Sequence, residues 1–156
     1  MSLRRAEPAD AAAIRELSRA AYAKWVPVIG CEPLPMTADY DQAVRRHIID
    51  LHEERGELRA LIEMVVETGH LLIENIAVRP DRQGKGIGDR LVRHAEAVAA
   101  SLKLYEIRLY TNAAFVSNIA FYAKRGYQEY DRRTMPSGRT AVFMRKILQA
   151  LGKFDT

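Results

Sequence analysis

Leu71-Leu72-Ile73-Glu74-Asn75-Ile76-Ala77-Val78-Arg79-Pro80-Asp81-Arg82-Gln83-Gly84-Lys85-Gly86-Ile87-Gly88 reads as a strand that runs into a glycine loop and then into a helix. Past the loop, Leu91, Ala95, Val98 and Leu102 recur on one helical face over residues 88–102, while Arg90, Arg93 and Glu96 face away. Strand, glycine loop, helix is a phosphate-binding arrangement. Glycines carry no Cβ, so the backbone can approach a ligand closely, and the free N–H groups of a helix start point at an anion along the favourable end of the helix dipole. Spacing excludes two better-known glycine loops. The dinucleotide pattern needs a third glycine where Asp89 stands, and a P-loop needs Ser or Thr after its lysine, whereas Lys85 is followed by Gly86.

Outward from this unit the chain keeps alternating between helical and strand periods, which places it in a mixed α/β class. Residues 3–5 are a candidate first strand. Ile14, Leu17, Ala21 and Trp25 recur at helical spacing, so residues 8–24 are expected to form an amphipathic helix that Pro27 ends. Residues 26–36 hold Pro27, Gly30, Pro33 and Pro35 and read as an extended loop before a short helix at residues 38–47. Residues 48–51 and 58–66 flank Glu53-Glu54-Arg55-Gly56-Glu57 as a hairpin, and Glu67-Thr68-Gly69 turns the chain into residues 70–78. Residues 105–110 alternate as a strand, and residues 117–125 form a short helix stopped by Gly126. Residues 127–133 and 140–144 close the pattern as a hairpin around Pro136-Ser137-Gly138, and residues 150–156 read as a tail.

The 156 residues, 48% of them hydrophobic, suffice for one domain over residues 1–156 with a buried core. No apolar run approaches the roughly 18 to 20 residues that span a bilayer, and Met1-Ser2-Leu3-Arg4-Arg5 leads into alanine-rich polar sequence, so a cytoplasmic setting without membrane partners is expected. Cys31 is the sole cysteine, and His47, His52, His70 and His94 show no ligand spacing, so neither a disulfide nor a metal is expected. The net charge of +4, from 24 basic and 20 acidic residues, suits an anionic ligand better than a nucleic acid, which usually draws a dense basic stripe.

Gln83-x-x-Gly86-x-Gly88, after a strand ending Ala77-Val78-Arg79-Pro80, resembles the acetyl-CoA signature of the GCN5-related N-acetyltransferase (GNAT) superfamily. Ser117-Asn118-Ile119-Ala120-Phe121-Tyr122-Ala123-Lys124-Arg125-Gly126-Tyr127 resembles the segment after the fifth strand of that family, at a family-like separation. The resemblance covers residues 3–147. It implies a mixed, mostly antiparallel sheet of about six to seven strands with about four helices, and a wedge between the fourth and fifth strands. It also implies an enzyme that moves an acetyl group from acetyl-CoA, its co-substrate, to a primary amine by direct attack in a ternary complex, without a metal. By the same resemblance the backbone of Gly84, Lys85, Gly86, Ile87 and Gly88 holds the CoA pyrophosphate, with Gln83 and Arg82 beside it. Ile76, Ala77 and Val78 then meet the pantetheine arm through main-chain groups, as a partial added strand. Arg79, Arg90 and Arg93 either meet the charges of CoA or form a solvated face.

An alkylamine with a pKa near 10.4 is mostly protonated at pH 7, and freeing it costs roughly 4 to 5 kcal/mol unless a base takes the proton. Glu74, a carboxylate within an apolar run, is the candidate base and acceptor contact; the alternative is a buried partner of an arginine or of loop amides. Some relatives carry this glutamate two positions earlier, where Leu72 stands here, and by a period of two Leu72 and Glu74 share a face. Tyr122 matches the family tyrosine that supports the departing sulfur; the alternative is an aromatic that packs its helix. Asn118 contacts the pantetheine or caps its helix. Many relatives place an asparagine about one turn further upstream of the tyrosine than Asn118, where Phe115 stands, so Asn112 and Asn118 are the nearby amides. The loop over residues 29–36, with Trp25, Tyr40 and Asp39, is expected to shape the acceptor pocket. A small amine is favoured over a protein acceptor, and a homodimer through the last hairpin is permitted. Two other classes stay open: a non-catalytic acyl-CoA sensor, and a binder of another phosphate ligand such as a nucleotide.

Overall fold

A computed structural model describes residues 1–149; the expected tail lies outside the described residues. The hairpin signal becomes β2 (Ile48–Glu54) and β3 (Glu57–Glu67), joined through Arg55 and Gly56 at φ of 54° and 76°. Two positive-φ residues give a tight turn whose twist matches that of the flanking strands. With β1 (Arg4–Arg5), β4 (His70–Val78), β5 (Glu106–Asn112), β6 (Gln128–Thr134) and β7 (Thr140–Ile147), they form one seven-stranded sheet in the order β1-β2-β3-β4-β5-β7-β6. Every neighbouring pair is antiparallel except β4 and β5. A parallel pair needs a crossover, and helix α5 (Ile87–Ser101) supplies it.

Helices cover both faces. On one, Leu91, Ala95 and Ala99 of α5 pack fully buried on Ile62, Met64, Leu71 and Ile107, joined by α6 (Val116–Ala123) through Ile119 and Tyr122. On the other, Ile14 and Leu17 of α1 (Ala11–Tyr22) and Ala43 of α4 (Tyr40–Arg46) pack on Ile49, Leu51, Leu61 and Ala77. Burying each such leucine or isoleucine contributes about 1.5–3 kcal/mol, which is why both helices lie flat on the sheet.

Two expectations are corrected between these helices. Pro27 does not end the first helix: the chain stays helical through a 3₁₀ turn (Ala23–Trp25) into α2 (Val26–Ile29). There Pro27 sits in the first turn, where the missing N–H is not needed. Gly30, at φ 76°, is the stop. The supposed extended loop also holds α3 (Leu34–Thr37), which α1 packs against.

The feature that positions the site is the opening between β4 and β5. They pair only over Leu71, Leu72 and Ile73 against Ile107, Arg108 and Leu109, while β5 goes on pairing with β7 as far as Asn112. The reason lies in β4. Glu63 faces Asn75 and Met64 faces Ile73, so Glu74 is an extra residue with no partner on β3. A bulge bends its strand and increases the local twist, turning the end of β4 away from β5. It also breaks the period of two. Ile73 and Ile76 serve the same core and Ala77 the other, so counting by twos does not carry from Ile73 to Ile76.

Candidate active site in the wedge

The glycine loop leaves a row of main-chain donors without acceptors. Gly84 and Gly86 sit at φ of 77° and 82°, and a Cβ at either would meet nothing within 4 Å, so backbone conformation rather than crowding requires glycine there. Gly86 caps α5, whose first bond runs from Arg90 N–H to Gly86 O. No acceptor among the described residues takes the N–H groups of Gly84, Lys85, Gly86, Ile87, Gly88 or Asp89. Gly88 is glycine for a different reason: a Cβ there would stand 3.2 Å from Phe121 Cζ, so α5 and α6 close on each other through it. Gln83 ties the loop to the wedge. Its Nε2 donates to Val78 O at 2.9 Å and its Oε1 accepts from Lys24 at 2.9 Å. One residue pair inward along β4, Tyr22 donates its hydroxyl to Ile76 O at 3.1 Å.

The surrounding cations divide by partner. Arg93 and Arg125 both bind Asp89, at 3.1 and 2.9 Å, and Arg82 meets Glu54 at 3.3 Å. Arg79 turns inward, its Nε donating to Leu58 O at 3.0 Å. Lys85 and Arg90 line a shallow basic recess beside the loop and have no carboxylate partner among the described residues.

Beyond the loop the wedge opens into a cavity of about 780 Å³. Its walls bring together Glu74, Ile76, Asn118 and Tyr122 from the expected site, with Tyr40, Asp39 and part of the loop over residues 29–36 on the far side. Glu74 Oε1 accepts from the Tyr110 hydroxyl at 2.9 Å, a bond that spans the gap between β4 and β5. Tyr40 is fully buried, its hydroxyl donating to Pro35 O at 2.5 Å and accepting from Asn75 Nδ2 at 3.3 Å. Burial pushes its phenol up to about 12. Tyr122 lies edge-on to Tyr127 and Phe121, and burial drives its ionisation far above the ordinary phenol range. Asn118 makes no cap, since Phe115 occupies the N-cap of α6 without a side-chain bond.

Trp25 stands outside this lining. It stacks on Phe115 at 4.3 Å between ring centroids, with Lys24 over its outer face, so it backs the wall that Phe115 faces. Several lining groups had no place in the sequence reading: His47, Glu63, Asn75, Tyr110 and Arg139. Glu63 carried the same signal as Glu74, a carboxylate amid apolar neighbours in Leu61-Ile62-Glu63-Met64-Val65. Asn75 and Tyr110 are brought in by strand pairing, and His47 and Arg139 by the turns that lead into β2 and β7. No cluster of three or more potential metal ligands occurs among the described residues.

Comparison with known proteins agrees with this geometry. Residues 12–127 match the model of the acetyltransferase (GNAT) family. No match was found among curated protein sequences. Among solved structures, the ribosomal-protein-S18-alanine N-acetyltransferase of Escherichia coli is 20% identical, with a TM-score of 0.75 over 98% of this chain and 97% of that one. The PaiA N-acetyltransferase of Thermoplasma acidophilum, solved with coenzyme A, is 18% identical, with a TM-score of 0.79 over 94% of this chain and 98% of that one. A GNAT family acetyltransferase from Elizabethkingia anophelis with acetyl-CoA bound is 16% identical, with a TM-score of 0.69 over 94% and 97%. At these identities the likeness is one of fold.

Proposed function

Because the chain belongs to the acetyltransferase (GNAT) family, we propose that it uses acetyl-CoA as co-substrate to acetylate a primary amine of a small acceptor, in the cytoplasm. The observation that carries this is the row of unpaired N–H groups over residues 84–89, tied by Gln83 to the same wedge that Glu74 and Tyr122 line. Acetyl-CoA supplies a thioester-activated acetyl group and a thiolate leaving group. The residues present fit it: Gly84 and Gly86 leave open space above their backbone, and beside them Lys85 and Arg90 are cations without a carboxylate partner among the described residues.

Each residue then has a task. The amides over residues 84–89, with Arg82 and Gln83 alongside, hold the pyrophosphate. The main chain of Ile76, Ala77 and Val78 orders the pantetheine arm, and Asn118 meets it from α6. The carbonyls of Ile76 and Val78 already accept from Tyr22 and Gln83, but each oxygen has a second lone pair, and the strand edge keeps its N–H donors. Glu74 receives the acceptor ammonium, and Tyr122 donates a hydrogen bond at the sulfur. Tyr40 and the loop over residues 29–36 shape the acceptor side, with Trp25 acting through Phe115. The largely apolar wall, including Ile29, Leu34, Leu109 and Phe143, favours an amine with an apolar body. No helix among the described residues is long and apolar enough to cross a membrane.

Thermal unfolding with acetyl-CoA, CoA, NAD and ATP tests the reading. Near 100 Kd, mass action adds about 2.7 kcal/mol, which should raise the midpoint by roughly 5 to 10 °C for acetyl-CoA and CoA only. A folded sample that shifts with neither would overturn the assignment. Binding without free-thiol release against any amine would leave a sensing module instead.

A further inference from the structure

The roles above leave a buried titratable pair on the cavity wall unused. Glu63, in the middle of β3, is only 4% exposed, and its Oε2 lies 2.6 Å from Nδ1 of His47, the residue between α4 and β2. A carboxylate is almost never buried so deeply unless something offsets its lost hydration. Here the partner is an imidazole, whose Nδ1–H donates to the carboxylate and steadies it. The second carboxylate oxygen of Glu63 has no hydrogen-bond partner among the described residues, and both side chains line the cavity that holds Glu74. Strand register puts Glu63 opposite Asn75, directly beside the Glu74 bulge.

The surroundings make Glu63 a proton acceptor. Burial raises its pKa most, the bond to His47 opposes that, and the neighbouring charge of Glu74 raises it again. The other groups that face this corner are Tyr22 from α1, Tyr40 and Arg46 from α4, Asn75 from β4 and Tyr110 from β5. His47 is 28% exposed along its side chain against 5% for Glu63, so the pair leads from the buried cavity wall outward to water.

Resting on the acetyl-transfer reading of this site, we propose that Glu63, held by the Nδ1–H of His47, takes the proton from the acceptor ammonium at its free oxygen, while Glu74, held by Tyr110, orients the ammonium. One N–H bond of the ammonium breaks with its electron pair left on nitrogen, and an O–H bond forms on Glu63. That proton passes from Glu63 to water as the product leaves, restoring the carboxylate, while the Nδ1–H of His47 keeps donating to the other carboxylate oxygen. The amine is left neutral and nucleophilic beside the wedge.

Glu63→Gln keeps the shape and an oxygen that accepts from the imidazole, so folding and acetyl-CoA binding are expected to persist. Free-thiol release is followed from about pH 6 to about pH 10 with spermidine, phenylethylamine and an alanyl peptide as acceptor probes. With the fastest probe, wild-type kcat/KM should fall only on the acid side, as Glu63 becomes protonated. Glu63→Gln should be about 100- to 10,000-fold slower near neutrality and climb tenfold per pH unit toward the pKa of the amine, because only amine already deprotonated in water then reacts. Glu74→Gln should raise the acceptor KM and keep the wild-type acid limb, and His47→Ala should lose rate that added imidazole partly restores. A wild-type profile in Glu63→Gln overturns the proposal, as does loss of the acid limb in Glu74→Gln alone. Failure of an acetyl-CoA-binding protein to turn over any of the three probes also overturns it. Absence of acetyl-CoA binding would overturn the transferase reading itself.

Discussion

Tyr122 brings its hydroxyl to the cavity wall from α6, where burial has already pushed its ionisation well above that of a free phenol. A thiol ionises near pKa 8.5, so moving a full proton from this phenol to a thiolate is more uphill than for an exposed tyrosine near 10. The residue therefore contributes a hydrogen bond rather than a proton. The sign follows directly: a raised pKa keeps the hydroxyl protonated, so Tyr122 adds no limb to the rate profile below about pH 10. Tyr122→Phe is expected to lower kcat roughly 10- to 100-fold with little change in the acetyl-CoA KM and none in the shape of the pH profile. Unchanged turnover in a thiol-release assay would remove Tyr122 from the mechanism.

Among the elements, α4 joins stability to acceptor binding. Asp39 sits at its N-cap and accepts from Gln42 N–H at 3.1 Å, and the helix carries Tyr40, Ala43 and Arg46 to the cavity. Removing such a cap costs about 1 kcal/mol, so Asp39→Ala should lower the unfolding midpoint by roughly 2 to 4 °C. Because Asp39 and Tyr40 also line the acceptor side, its acceptor KM should rise while the acetyl-CoA KM stays put. A rise in both would show that α4 reaches the cofactor half. The helix itself was legible over residues 38–47, but its cap at Asp39 appears only in the structure. The two short helices after Trp25 were not legible, since prolines are tolerated in a first helical turn as readily as in a loop.

For the molecule as a whole, an excess of only four positive charges is placed rather than spread. Most arginines near the loop are engaged by Asp89 or Glu54, while among the described residues Lys85 and Arg90 have no carboxylate partner beside the unpaired amides. Exposed charges of this kind are screened by salt. Acetyl-CoA binding should weaken several-fold between about 0.05 and 0.5 M salt, and the Lys85→Ala, Arg90→Ala double variant should bind about tenfold more weakly with a flatter salt dependence. Titration calorimetry at the two salt concentrations checks this, and an unchanged slope would place the cofactor charges elsewhere.

Local pattern was enough for the glycine loop, the helix after it and the hairpins, because each depends on neighbours within a few residues: a φ that favours glycine, a helical stripe, a turn; Tyr122 came from the resemblance. The wedge between β4 and β5 followed only from resemblance, and the parallel pairing and the bulge that accompany it were invisible, since each is defined by a partner strand. That bulge places Glu74 at the cavity, and the register of β3 against β4 brings Glu63 beside it, 11 positions earlier in the chain. A carboxylate in an apolar run signals that something must satisfy it. Only the packing of α1, α4 and β5 around the open edge of β4 decides whether that something is a structural partner or a ligand.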